Sequence, residues 1–212
     1  MILYRMKLVI GDKNSSSWSM RPWVLLRHFG IAFDETLIRL GQPDTKAKIL
    51  DVTPSGKVPC LVTDAGDAVW ESLAIMETLA ELHPQHAMWP RDAAARARAR
   101  SISAEMHAGF ADLRQNMPMQ IATHAPGIGA TPAALFDIAR IDAIWTDCLA
   151  QSDGPFLFGD FCIADAMYAP VVMRFNSYEP ALSETSRAYA NRMTQLPAVT
   201  AWIDDARKES AR

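Results

Sequence analysis

Three short stretches carry side chains that could act on a ligand. The run Asn14-Ser15-Ser16-Ser17-Trp18-Ser19-Met20-Arg21 joins a strand pattern to a helix pattern. One hydroxyl could cap the helix while the rest solvate a loop. Alternatively, a hydroxyl beside the helix's unpaired N–H groups could face an anion or a thiolate. Spacing does not choose between these readings. The second stretch, Pro54-Ser55-Gly56-Lys57-Val58-Pro59-Cys60-Leu61, is a turn running into a strand that opens on proline. If the Val58–Pro59 bond is cis, the Val58 backbone N–H and C=O turn out of the sheet, where an extended peptide could pair with them. Lys57 would then stand beside that peptide as a cation. The third stretch is Trp70-Glu71-Ser72-Leu73. Ser72 reads as the N-cap of a helix, and a capped helix N-terminus accepts a carboxylate while Glu71 accepts from an ammonium. A ligand group carrying both charges, as an α-amino acid does, would satisfy the two together.

Positioning these residues requires an α/β unit. Lys7 to Gly11 reads as a buried strand and Ser19 to Phe29 as a helix closed by Gly30. Phe33 to Leu40 reads as a second strand, and the polar stretch from Gly41 to Lys48 as a short irregular helix. Pro59 to Thr63 and Ala68 to Trp70 flank Asp64-Ala65-Gly66-Asp67, which is hairpin chemistry, and Ser72 to Leu82 is helical again. This order predicts a mixed four-stranded sheet covered by helices over residues 6–83. A proline-containing linker follows at 84–90. The remainder, 91–212, is an all-α bundle with helices at Arg91 to about Met117, Pro132 to Gln151, Ile163 to Asn176, Ser183 to Gln195 and Pro197 to Lys208. Pro118 and Pro170 should kink or end their helices. Residues 1–5 read as an extension from an alternative start, with no structural role.

The order and context of the three stretches resemble the soluble glutathione transferases over essentially the whole chain. The likeness is carried by Ser16-Ser17-Trp18-Ser19-Met20-Arg21, Gly56-Lys57-Val58-Pro59 and Glu71-Ser72, and in the helical half by Phe158-Gly159-Asp160-Phe161-Cys162-Ile163-Ala164-Asp165. The serine loop is most similar to the zeta and tau classes and to a bacterial serine-type group related to them. The resemblance implies a thioredoxin-like N-terminal domain holding glutathione as co-substrate, a C-terminal helical domain facing an acceptor, and a homodimer. Counted back from Arg21, it selects Ser16 as donor to the glutathione thiolate, with Ser15 and Ser17 as alternatives. It implies further that Ser17 and Pro59 line the groove, that Val58 pairs with the cysteinyl unit, and that Lys57 faces the glycyl carboxylate. Glu71 and Ser72 would hold the γ-glutamyl group. Trp18, Met106, Phe110 and Leu113 are candidates for the acceptor pocket, although a stripe at helical spacing is by default core.

The implied reaction is attack of the glutathione thiolate on a small hydrophobic electrophile, as in detoxification. The alternatives are glutathione-dependent isomerisation or dehalogenation of the maleylacetoacetate isomerase type, and a non-catalytic binding or interaction module of the same fold. One departure stands out. The family's capping box has Ser or Thr three residues before its aspartate, where this chain has Cys162 before Asp165. Losing a hydroxyl cap costs about 0.5–2 kcal/mol.

Composition narrows the rest. The 212 residues are half hydrophobic and 21% charged, with 21 Lys+Arg against 24 Asp+Glu and a net charge of −3. Mean hydropathy is −0.02. That is a globular composition without the basic field that nucleic acid requires. No apolar run approaches the roughly 18–20 residues that span a bilayer, so no membrane partner is expected and a cytoplasmic location is. Cys60, Cys148 and Cys162 read as buried thiols of a reducing compartment rather than a disulfide framework. The serines lack the G-x-S-x-G elbow of a hydrolase. His83-x-x-His86 encloses Pro84 and has no neighbouring ligand, so no metal is expected. The Ala/Arg run from Ala93 to Arg100 is a strong helix former with a solvated face.

Overall fold

The computed structural model describes residues 6–211; residues 1–5, read above as an extension, lie outside the described residues. The first half contains β1 (Lys7–Ile10), α1 (Ser17–His28), β2 (Asp34–Leu37), α2 (Thr45–Leu50), β3 (Cys60–Val62), β4 (Ala68–Trp70) and α3 (Ser72–Leu82). The strands form one mixed sheet in the order β2-β1-β3-β4. β2 pairs parallel to β1, with Lys7 opposite Asp34, whereas β3 runs antiparallel to β1 and β4 antiparallel to β3. Period-two alternation explains the apolar run of the central strand. Leu8 and Ile10 enter the main core with α1 and α3, while Val9 joins Cys60, Ile38 and Ile49 in a smaller cluster on the other face. This is the thioredoxin-like sheet of the expectation. β2 is shorter than the apolar pattern suggested, because the Leu40 N–H leaves the ladder to donate to Asp12 Oδ2 at 2.7 Å. α1 starts earlier than expected, at Ser17.

The second half is helical: α4 (Ala93–Ala108), α5 (Ala111–Asn116), α6 (Pro132–Ala150), α7 (Ile163–Tyr178), α8 (Glu184–Thr194) and α9 (Pro197–Ser210). Asp92, Thr131 and Ser183 cap α4, α6 and α8 by accepting first-turn N–H groups. α7 runs through Pro170 to Tyr178 rather than ending there, and is buried along nearly its whole length. It packs against α1, whose other contacts include α3 and α9, so one apolar core runs through both halves.

The helix expected from Arg91 to Met117 is broken at Gly109–Phe110. Gly109 is extended (φ −99, ψ −168), and a Cβ there would lie 2.8 Å from the Glu105 carbonyl oxygen. Phe110 is left-handed at φ 59, which turns its ring into the core. Carbonyls released by the break are recovered by Arg114, which donates to Met106 O, to Gly109 O at 3.0 Å and to His107 O at 3.4 Å. The break therefore costs few hydrogen bonds and aims the end of α4 at the first half of the molecule.

Candidate functional site

A cleft of about 190 Å³ is lined by Trp18, Ser55, Lys57, Val58, Pro59, Glu71 and Ser72. Three segments distant in sequence meet here. The turn before β3 brings Ser55 to Pro59, and the β4–α3 junction brings Glu71 and Ser72. The first turn of α1 brings Trp18. The Val58–Pro59 bond is cis. Among the described residues the Val58 N–H and C=O have no hydrogen-bond partner. The Ser55 hydroxyl shapes the turn by accepting the Lys57 N–H at 3.2 Å. Lys57 is exposed at the rim.

At the opposite wall, Glu71 rather than Ser72 occupies the N-cap of α3, which corrects the expectation for Ser72. Glu71 adopts φ 67, ψ 123, a region disfavoured for any residue with a Cβ. Ser72 is the first helical residue, and its buried hydroxyl accepts from Arg21 Nη1 at 3.2 Å.

The serine run is placed behind this cleft rather than in its lining. Ser15 is exposed, whereas Ser16 and Ser17 are buried. Ser16 holds the N-cap position of α1 without making a cap bond. Its hydroxyl donates to Ser19 Oγ at 2.7 Å, and Ser19 Oγ also accepts the Gly11 N–H at 3.1 Å. Of the acceptor candidates, Trp18 lines the cleft, while Met106, Phe110 and Leu113 lie in the main core.

Sequence patterning overlooked a cationic cluster beside Trp18. The guanidinium carbons of Arg21 and Arg114 lie 4.4 and 4.7 Å from the Trp18 ring centroid. His107 meets the same ring edge-on at 5.1 Å, and its Nε2 lies 3.5 Å from Glu71 Oε2. Arg21 is fully buried, and burial, then Arg114 and Arg174, push its pKa well down. Burial, reinforced by Arg114, lowers Arg174 to about 10. Burial and then Arg21 lower His107, against the opposing pull of Glu71, so the imidazole favours its neutral form. Arg21 Nε and His107 Nδ1 are buried without partners among the described residues. Such a group of cations with little protein counter-charge favours an incoming anion. A larger cleft of about 800 Å³, between the start of α4 and the 151–160 loop, contains none of the candidate residues.

The sequence matches the profile of the glutathione S-transferase N-terminal domain over residues 15–82 and that of the C-terminal domain over 129–205. It is 30% identical over 193 residues to a probable maleylacetoacetate isomerase of Caenorhabditis elegans, covering 89% of this chain and 88% of the relative. The chain belongs to the glutathione S-transferase family. A glutathione transferase homologue from Burkholderia gl BGR1, solved with bound glutathione, superposes with a TM-score of 0.74 at 25% identity, covering 97% of this chain and all of that one. A glutathione transferase from Methylococcus capsulatus superposes with a TM-score of 0.73 at 27% identity, covering 95% and 98%. The N-terminal glutathione S-transferase match contains every residue lining the small cleft. His107 and Arg114 fall between the two matched segments.

Proposed function

We propose that the chain binds glutathione in the small cleft and adds its thiolate to a small electrophile. The observation that carries this reading is the convergence of Lys57, the unpaired Val58 backbone, Glu71 and Ser72 around one cleft. Glutathione has two carboxylates, one ammonium and an extended backbone. Lys57 suits the glycyl carboxylate, Val58 the cysteinyl amide, Ser72 with the α3 N-terminus the γ-glutamyl carboxylate, and Glu71 the ammonium. Ser17 and Pro59 complete the proposed binding set, and Arg21 supports Ser72 from behind. The bound glutathione in the Burkholderia relative supports the same assignment.

A free thiol titrates near 8.5, and lowering it by about two units requires about 2.7 kcal/mol in favour of the thiolate. Ser16 supplies part of this by exchanging its bond to Ser19 for one to sulfur, with Ser15 and Ser17 as the alternative donors. Met106, Phe110 and Leu113 would back the acceptor side, with Trp18 at its edge. The guanidiniums add a positive field that the sequence reading lacked.

That field favours the isomerase alternative over attack on a purely hydrophobic acceptor. A carboxylated cis-alkene conjugated to a ketone would be drawn toward Arg114, and the similarity to a probable maleylacetoacetate isomerase points the same way. Addition of thiolate forms the C–S bond and moves the alkene electrons onto the ketone oxygen. Rotation about the new single bond and collapse of the enolate then expel the thiolate and leave the trans-alkene, with no net proton transferred. A cytoplasmic homodimer divided at residues 84–90 completes the proposal. The free, buried cysteines agree with a reducing compartment, and Leu135 and Phe136, exposed on α6, with a subunit contact.

Calorimetric titration with glutathione tests the binding step. Wild-type protein is expected to bind, and Glu71→Ala to weaken binding about tenfold or more, equivalent to at least about 1.4 kcal/mol. Absence of binding to wild type would leave only the interaction-module reading. Ser16→Ala is expected to shift the rate–pH profile upward by about one unit; an unchanged profile would transfer the donor role to Ser15 or Ser17. Assaying a carboxylated cis-enone against a neutral aryl chloride then separates isomerase from transferase.

A further inference from the structure

We propose that Lys13 is a positioning residue for the serine loop, and that α9 is thereby part of the thiol-activating apparatus. This rests on the reading of residues 15–17 given above. Residues 11–16 form neither helix nor strand, and their conformation is held from outside. All three polar groups of Lys13 are engaged by distant elements. Its Nζ lies 2.9 Å from Glu35 Oε1 in β2 and 2.8 Å from Asp205 Oδ2 in α9. Its backbone N–H donates to Glu209 Oε2 at 2.8 Å, and its carbonyl accepts from Trp202 Nε1 at 2.9 Å. The ammonium sits 4.8 and 5.6 Å from the ring centroids of Trp23 and Trp202, and Trp23 Nε1 donates to the other oxygen of Glu35 at 2.6 Å.

Lys13 is only 4% exposed. A side chain needed merely to fill that space would be apolar, because burying an ammonium between carboxylates costs about as much as their attraction returns. What the ammonium adds is direction: two carboxylates on different elements fix where Nζ can lie, and the short loop transmits this to its serines. The Ser15 and Ser16 N–H groups both donate to Asp12 O, at 3.2 and 2.8 Å, closing a tight turn around Lys13. On the far side, the Asn14 carbonyl and side chain hold Ile121 and Ala122. No slack remains between the Lys13 joint and Ser16, and misplacing a group at a reacting centre by about 1 Å can cost about 100-fold in rate.

The test is the pKa of bound glutathione, read from thiolate absorbance against pH, alongside binding and turnover. In Lys13→Met, which keeps the aliphatic stem between the indoles, glutathione affinity should stay within about threefold, since every residue lining the cleft is retained. The thiol pKa should rise by about one unit, and turnover at neutral pH should fall about tenfold and recover on the alkaline side. Lys13→Arg, retaining the cation, should recover part of the shift. A folded Lys13→Met protein with the wild-type thiol pKa overturns the proposal. If that variant does not fold, Glu35→Gln and Asp205→Asn each loosen the ammonium from one side and should shift the pKa in the same direction by less; a wild-type pKa in both overturns it equally. Failure of the wild-type protein to bind glutathione removes the functional reading itself, an outcome distinct from an unshifted variant.

Discussion

Glu71 keeps a carboxylate at the cleft in a backbone conformation that costs about 1–3 kcal/mol for a residue bearing a Cβ. Glycine relieves that cost and alanine does not, so the two substitutions separate strain from chemistry. Both should weaken glutathione binding to a similar extent, while Glu71→Gly should be about 1 kcal/mol more stable than Glu71→Ala in urea unfolding. Equal midpoints would mean that the conformation is unstrained. The same residue shows what local sequence conveys. Lys57, Val58, Glu71 and Ser72 announce themselves through turn and helix-start chemistry written within a few positions, although the pattern misassigned the cap to Ser72. His107, Arg114 and Arg174 reach their surroundings by tertiary packing and carry no such mark. Lys13 is harder still to recognise, since Asp205 lies 192 residues away and only folding brings the two together.

The start of α7 is the element on which the helical half depends. Asp165 is fully buried and accepts from the Cys162 N–H at 3.0 Å, the Leu157 N–H at 3.2 Å and the Tyr189 hydroxyl at 2.8 Å. Cys162 Sγ takes the place of the usual hydroxyl and faces the Asp165 N–H to complete the capping box, with sulfur as a weaker acceptor than oxygen. Cys162→Ser should therefore stabilise the protein by about 1 kcal/mol, measured as an increase in the unfolding midpoint. Burial pushes the Asp165 carboxyl up to about 6 despite the three donors. The folded state thus retains a proton that the unfolded chain releases, and the stability this proton contributes is lost as pH rises from about 4 to 6. Relative to Asp165→Asn, wild-type stability should decline by about 2–3 kcal/mol between pH 4 and 7. A pH-independent difference would place the carboxyl near its ordinary value. Elements with strong terminators were legible in advance: α3 and β4 have the expected bounds, set by the Asp64–Asp67 turn and the Glu71–Ser72 junction. The break after α4 was not, because a single glycine in a helical pattern is ordinarily tolerated and Arg114 repays the lost bonds only in three dimensions.

Across the whole molecule, α1 contributes Met20, Trp23, Val24, Leu25 and Leu26 to a core shared with Tyr168, Val172 and Trp202. Trp23 and Trp202 meet edge-to-face at 5.2 Å. Neither half has a complete core of its own, so thermal unfolding followed by calorimetry should show one transition with equal calorimetric and van't Hoff enthalpies. Two resolved transitions would show that the halves are independent. The continuity of that core also bears on how such proteins can be recombined. A crossover placed in the stretch between α3 and α4 would divide the chain between its sheet-bearing and helical halves, yet sever the α1–α7 and α1–α9 contacts that the two parents had fitted separately. A viable hybrid must instead inherit α1, α7 and α9 from a single parent, so the exchangeable block is defined by a packed surface and is discontinuous in the gene.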